Sequence, residues 1–147
     1  MKRSATANWK GSGKEGKGTV TADSGIFSNA AITWRTRFQD VEGTSPEELV
    51  AAAHAGCYSM KLSFVLGAAG FTPDNIDTKC TISLENGAIT ESHLEVTASV
   101  QNIDEAKFNE CVNEAKANCP ISKLLNTNIT IEASLQQTVV LNLFYFF

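Results

Sequence analysis

Apolar and polar residues alternate with a period of two over several stretches of the chain. Ser4 to Lys10 does so around Ala5, Ala7 and Trp9. Thr19 to Thr21 follows a turn region marked by Gly11, Gly13, Gly16 and Gly18. Ala30 to Phe38 places Ile32, Trp34, Thr36 and Phe38 on one side, with Thr33, Arg35 and Arg37 on the other. Period two in β-branched and aromatic residues predicts half-buried strands, so this stretch is expected to be a strand with both arginines opposite Trp34. Ile76–Leu84 and Ile89–Val100 flank Asn86-Gly87, a dipeptide that favours the two positive-φ positions of a tight hairpin. Ile129 to Leu135 predicts a last strand.

Helical periodicity takes over in two places. Ser45-Pro46-Glu47-Glu48 reads as an N-cap, a proline at the first helical position, and a glutamate closing a capping box. The helix predicted from there runs to about Ala69 and is rich in small residues: Ala51, Ala52, Ala53, Ala55 and Gly56. Being apolar on most sides, it is expected to be a buried central helix, with sheet on one side and another helix on the other. Asp104 predicts a second N-cap, with Ile103 stapling onto Phe108 and a stripe of Phe108, Cys111, Val112 and Ala115. Pro120 ends that helix and opens a short one capped by Cys119, with Ile121, Leu124 and Leu125 expected to be buried. Strands, long helix, hairpin, helix and strand in that order predict an α+β fold, not a doubly wound parallel sheet.

The chain has 147 residues, enough for one domain, and 1–147 is read as one. The run 136–147 is an apolar C-terminal tail to which no role is assigned. The net charge of −4 argues against nucleic acid or an anionic membrane surface as the main partner. No secretory signal or membrane span is expected, because polar Ser4, Thr6 and Asn8 follow the charged start and the tail is too short to cross a bilayer. A cytoplasmic, reducing compartment is therefore expected, in which thiols stay free unless they react.

The cysteines are Cys57, Cys80, Cys111 and Cys119, with no Cys-x-x-Cys among them. His54 and Cys57 lie three apart on a helix, but two ligands are too few for a metal, and none is expected. Composition alone favours Cys57 as a small core thiol; the other reading is a nucleophile, which would need a nearby cation to favour its thiolate. Arg37 is a source of such charge, and Glu47, free of the capping box, would hold the guanidinium in place. Cys119 occupies a cap position that Ser, Thr, Asp or Asn fills better, which favours a chemical reason for the thiol. Cys111 and Cys80 read as structural.

Taken together, these segments resemble the OsmC/Ohr family. The resemblance rests on Thr36-Arg37-Phe38, Gly43-Thr44-Ser45-Pro46-Glu47-Glu48-Leu49, Ala52-Ala53-His54-Ala55-Gly56-Cys57 and Cys119-Pro120-Ile121-Ser122. Gly16-Lys17-Gly18-Thr19-Val20, Gly70-Phe71-Thr72-Pro73 and Ile76-Asp77 are closer to the OsmC branch than to Ohr. It spans about residues 1 to 135.

The resemblance implies an OsmC-like fold, with β-sheets around long central helices in an intertwined homodimer that carries two active sites at its interface. It implies a thiol peroxidase acting on organic hydroperoxides and more weakly on hydrogen peroxide, in defence against oxidative or osmotic stress. Cys57 would be peroxidatic and Cys119 resolving, with Arg37 and Glu47 on the family's arginine and glutamate. The reductant would be a dithiol such as a lipoylated protein, and no cofactor is implied. Glu47 and Cys57 are ten residues apart, ~15 Å of helical rise, so Glu47 is expected to serve the Cys57 of the other subunit. The alternatives are a non-catalytic dimer binding a small hydrophobic ligand and a redox sensor using the same disulfide.

Overall fold

The computed structural model describes residues 1–136; the tail singled out above lies, but for its first residue, outside the described residues. The described residues form two compact units, Met1–Val50 and residues 51–136.

The first unit holds strands β1 (Ala5–Lys10), β2 (Lys17–Ala22) and β3 (Ala30–Ile32), an antiparallel sheet in that order. Trp9 pairs with Gly18 across β1 and β2. A Cβ on Gly18 would sit 2.5 Å from the indole ring of Trp9, so this close approach admits only glycine. The strand expected from Ala30 to Phe38 stops at Ile32, and Trp34–Phe38 is instead a short helix, α1. The reason is local. The Thr36 N–H donates to Thr33 Oγ1 at 3.1 Å and the Thr33 N–H donates to Thr36 Oγ1 at 2.9 Å, a reciprocal cap that strand pairing does not match. Trp34 and Phe38, which alternation put on one strand face, meet instead as an i,i+4 pair with centroids 4.9 Å apart. Arg37 is therefore not opposite Trp34: its guanidinium lies 5.5 Å from the Phe38 ring, on the aromatic side.

Helix α2 runs Pro46–Ala68. Ser45 Oγ accepts the Glu48 N–H at 3.1 Å, as the sequence predicts, while the Glu48 carboxylate accepts from the Thr44 hydroxyl at 3.2 Å. Among the described residues it is the one helix long and apolar enough to cross a membrane. The core helix of a soluble protein passes the same test, and the buried face of α2, Tyr58, Leu62, Val65 and Leu66, belongs to the main hydrophobic core. It is not buried all round, as its composition had suggested. Ala52, Ala53, Gly56, Met60 and Phe64 form an exposed stripe.

The second unit is built on β4 (Pro73–Glu85), β5 (Ala88–Val100) and β6 (Asn128–Gln136). β4 and β5 form the predicted hairpin, with Asn86 and Gly87 at φ 51° and 78°. β6 returns parallel to β5, and the crossover that a parallel return requires is supplied by α3 (Glu105–Asn118) and α4 (Pro120–Leu124). Asp104 caps α3 by accepting the Lys107 N–H at 2.7 Å, and Ile103 and Phe108 are both buried. Ser92, Leu94, Val96, Ala98 and Val100 of β5 face the core, as do Phe108, Cys111, Val112 and Ala115 of α3. The Tyr58 hydroxyl donates to the Val112 carbonyl at 3.1 Å, and the Ser59 hydroxyl reaches Thr78 of β4 at 2.8 Å, so this part of α2 meets both a helix and the sheet. Leu124, expected to be buried, is exposed, and Ser122 is buried in its place.

Candidate active site

Of the four residues singled out for chemistry, Arg37 and Glu47 meet in the first unit. Glu47 lies in the first turn of α2, where acids favour the helix dipole. Arg37 lies in the last turn of α1, which is closed by the Gln39 N–H donating to the Arg35 carbonyl at 2.8 Å. The Arg37 Nη2 donates to Glu47 Oε1 at 2.5 Å, and Nε to Oε1 and Oε2 at 3.2 and 3.3 Å. This is a forked, charge-assisted pair that fixes the guanidinium plane. The hydrogen bonds from Arg37 hold the Glu47 carboxyl below its usual range, with burial opposing. The rest of the guanidinium borders a recess of about 250 Å³ walled by Trp9, Ile32, Trp34 and Pro46. A fixed cation beside indole faces suits a ligand with one polar end and an apolar body.

Cys57 and Cys119 meet in the second unit. Cys57 is half-buried in α2. Cys119 is fully buried at the junction of two helices: its N–H donates to the Ala115 carbonyl at 2.9 Å, and its own carbonyl accepts from Lys123 at 3.0 Å. It caps α4 by its backbone alone, so the thiol is left for other contacts. Both thiols are free, and Cys119 is near enough to Cys57 to raise its thiol. Burial is the largest influence on Cys57 and pushes its thiol up. The nearby Ile121 N–H opposes this, neighbouring Cys119 adds to it, and Lys61 draws the thiol down a little. Lys61 is four residues on from Cys57 and was recoverable from helical spacing, although the sequence reading did not single it out.

The reading of the sequence also passed over a buried polar cluster. His54 is fully buried, its Nδ1 2.6 Å from Ser92 Oγ and its Nε2 2.8 Å from Ser122 Oγ. Cys80 Sγ lies 3.2 Å from Ser92 Oγ. Both ring nitrogens are thus engaged by serines. A histidine in an otherwise apolar helix is the signal that would have located this cluster, but its partners come from distant sequence. Cys111 is a buried member of the core, its thiol pushed up by burial.

Fold and site together define a class: an α+β protein with an adjacent pair of free thiols and a carboxylate-anchored arginine. Residues 39–134 match the family described as OsmC-like protein. Peroxiredoxin OsmC of Escherichia coli K12 is 44% identical over 134 residues, covering 88% of this chain and 94% of that protein. Organic hydroperoxide resistance protein OhrB of Bacillus subtilis is 25% identical over 122 residues, 81% of this chain and 89% of its own. The crystal structure of B. subtilis OhrB aligns with a TM-score of 0.61 at 24% identity, over 90% of this chain and 98% of that one. An OsmC-like protein from Mycoplasma pneumoniae aligns at 0.71 and 17% identity, over 92% and 97%. The chain belongs to the OsmC/Ohr family, on its OsmC branch, and is an oxidoreductase of the peroxidase class.

Proposed function

We propose that the protein reduces organic hydroperoxides to alcohols, and hydrogen peroxide more weakly, with Cys57 as peroxidatic and Cys119 as resolving thiol. The observation that carries this reading is the pair of neighbouring free thiols, half-buried Cys57 beside buried Cys119. The Cys57 thiolate attacks one peroxide oxygen and the O–O bond breaks. The alkoxide takes up a proton and leaves as the alcohol, and Cys57 becomes a sulfenic acid. The Cys119 thiolate displaces hydroxide from that sulfur, which leaves as water, forming a Cys57–Cys119 disulfide. An external dithiol, of the kind a lipoylated protein carries, reduces the disulfide by exchange and is itself oxidised.

Burial holds the Cys57 thiol up, so the chemistry needs a cation to favour the thiolate. We assign this to Arg37, steadied by Glu47, which also orients the peroxide while the organic group lies along Trp9 and Trp34. The working form is taken as an intertwined homodimer, with Arg37 and Glu47 of one subunit serving the Cys57 of the other. The exposed stripe from Ala52 to Phe64 on α2 is small and apolar enough to pair closely with a second copy. No metal, cofactor, nucleic acid or membrane enters this scheme. The setting is the cytoplasm, in defence against oxidative or osmotic stress.

Steady-state turnover of cumene hydroperoxide with dihydrolipoamide tests the assignment. Cys57→Ser is expected to abolish turnover. Cys119→Ser is expected to accumulate a Cys57 sulfenic acid that dimedone captures. Turnover that survives Cys57→Ser would overturn the proposal.

A further inference from the structure

His54 takes no part in the chemistry above, yet it ties together the elements that carry it. On α2, His54 and Cys57 are three residues apart and therefore neighbours on the helix surface. On α4, Ile121 and Ser122 are adjacent. The two pairs meet in register: Cys57 and Ile121 pack against the same core, with the Ile121 N–H near enough to draw the Cys57 thiol down, and Ser122 Oγ lies 2.8 Å from His54 Nε2. α4 is only five residues long, its cap lacks a side-chain hydrogen bond, and its Leu124 is exposed. A helix so short has no stability of its own and is placed by tertiary contacts. The His54–Ser122 bond is its polar anchor. The other ring nitrogen is held by Ser92 of β5 at 2.6 Å, and Cys80 of β4 lies 3.2 Å from that hydroxyl. The imidazole is thus braced against the sheet. A neutral imidazole has one donor and one acceptor nitrogen, and a hydroxyl serves either, so both bonds hold in either tautomer. Full burial keeps His54 from solvent and substrate, which excludes a proton-transfer role.

We propose that His54 is a positioning residue for the thiol pair: through Ser122 it clips the Cys119–Leu124 turn to α2, keeping the Ile121 backbone beside Cys57 and Cys119 in place to attack it. This rests on the reading of Cys57 and Cys119 as the reacting pair.

Two readouts separate the claims. The first is the rate of Cys57–Cys119 disulfide formation after one equivalent of cumene hydroperoxide; the second is the pH midpoint for iodoacetamide alkylation of Cys57. Ser122→Ala and His54→Asn, which both lose the Nε2 bond, are expected to slow disulfide formation about tenfold, the scale of one positioning hydrogen bond. They should also raise the alkylation midpoint by about half a unit. His54→Gln keeps a polar atom near the Nε2 position and is expected to restore most of both. Ser92→Ala, with its melting temperature measured alongside, controls for stability. Wild-type behaviour of folded Ser122→Ala on both readouts would overturn the proposal, even if His54→Asn fails to fold. Equal changes in Ser92→Ala and Ser122→Ala that follow melting temperature alone would also overturn it. If wild type forms no disulfide but Ser122→Ala still shifts the midpoint, the peroxidase scheme fails and the positioning role stands.

Discussion

Arg37 has its counter-charge in Glu47, and the proposed chemistry asks that guanidinium to favour the Cys57 thiolate. The forked bond to Glu47 fixes a cation that is otherwise partly exposed. Its effect on stability is small, because a partly exposed ion pair is screened and contributes at most about 1 kcal/mol. Arg37→Ala is therefore expected to leave the melting temperature nearly unchanged. It should cost about a hundredfold in peroxidase rate and raise the alkylation midpoint of Cys57 by about one unit. An unchanged midpoint would remove Arg37 from the thiol's environment. The pH dependence has a definite sign. The Glu47 carboxyl is depressed by Arg37, so the stability from this pair is present above the ordinary carboxylate range and lost only as pH falls through the lower folded value. The nucleophile is the thiolate, so the peroxidase rate should rise with pH through the Cys57 midpoint. A rate that instead follows a titration below the ordinary carboxylate range would place Glu47, not Cys57, in control.

Among the elements, α2 carries most of the weight. Leu62 is fully buried in the main core, and Leu62→Ala should cost ~2–5 kcal/mol in denaturant unfolding. A cost under ~0.5 kcal/mol, the usual scale for a surface site, would contradict that packing. The opposite face offers a sharper test of assembly. A Cβ on Gly56 meets no atom within 4 Å in the single chain, so Gly56→Leu should be tolerated there and even favoured by helix propensity. If two copies pair along this stripe, the same change is expected to yield monomers in analytical ultracentrifugation. A stable dimer of Gly56→Leu would rule out close pairing at Gly56. These elements were legible from sequence to different degrees. The capping residues at Ser45 and Asp104 and the Asn86-Gly87 turn marked real boundaries, because their hydrogen bonds are local. Ala30–Phe38 was misread because Thr33 and Thr36 fit both a strand alternation and a reciprocal helix cap, and only the backbone geometry decides between them. The exposure of Leu124 and burial of Ser122 were not legible, because the Ser122 hydroxyl meets the ring of His54, 68 residues away.

For the molecule as a whole, the two thiols and the arginine and carboxylate were legible as residue types; Arg37 and Glu47 form an ion pair, and Cys57 and Cys119 are neighbours. The His54 cluster was not, since its serines gain meaning only when α2, β5 and α4 come together. One event is central to the proposed cycle: oxidation of Cys57 followed by capture by Cys119. It is tested most directly by treating the fully reduced protein with one equivalent of cumene hydroperoxide, alkylating the remaining thiols, and mapping every cysteine by mass spectrometry. The expected result is the loss of two thiols, a Cys57–Cys119 linkage, and alkylated Cys80 and Cys111. Four alkylated cysteines would contradict it, leaving Cys57 as a core thiol in a protein that does not reduce this peroxide.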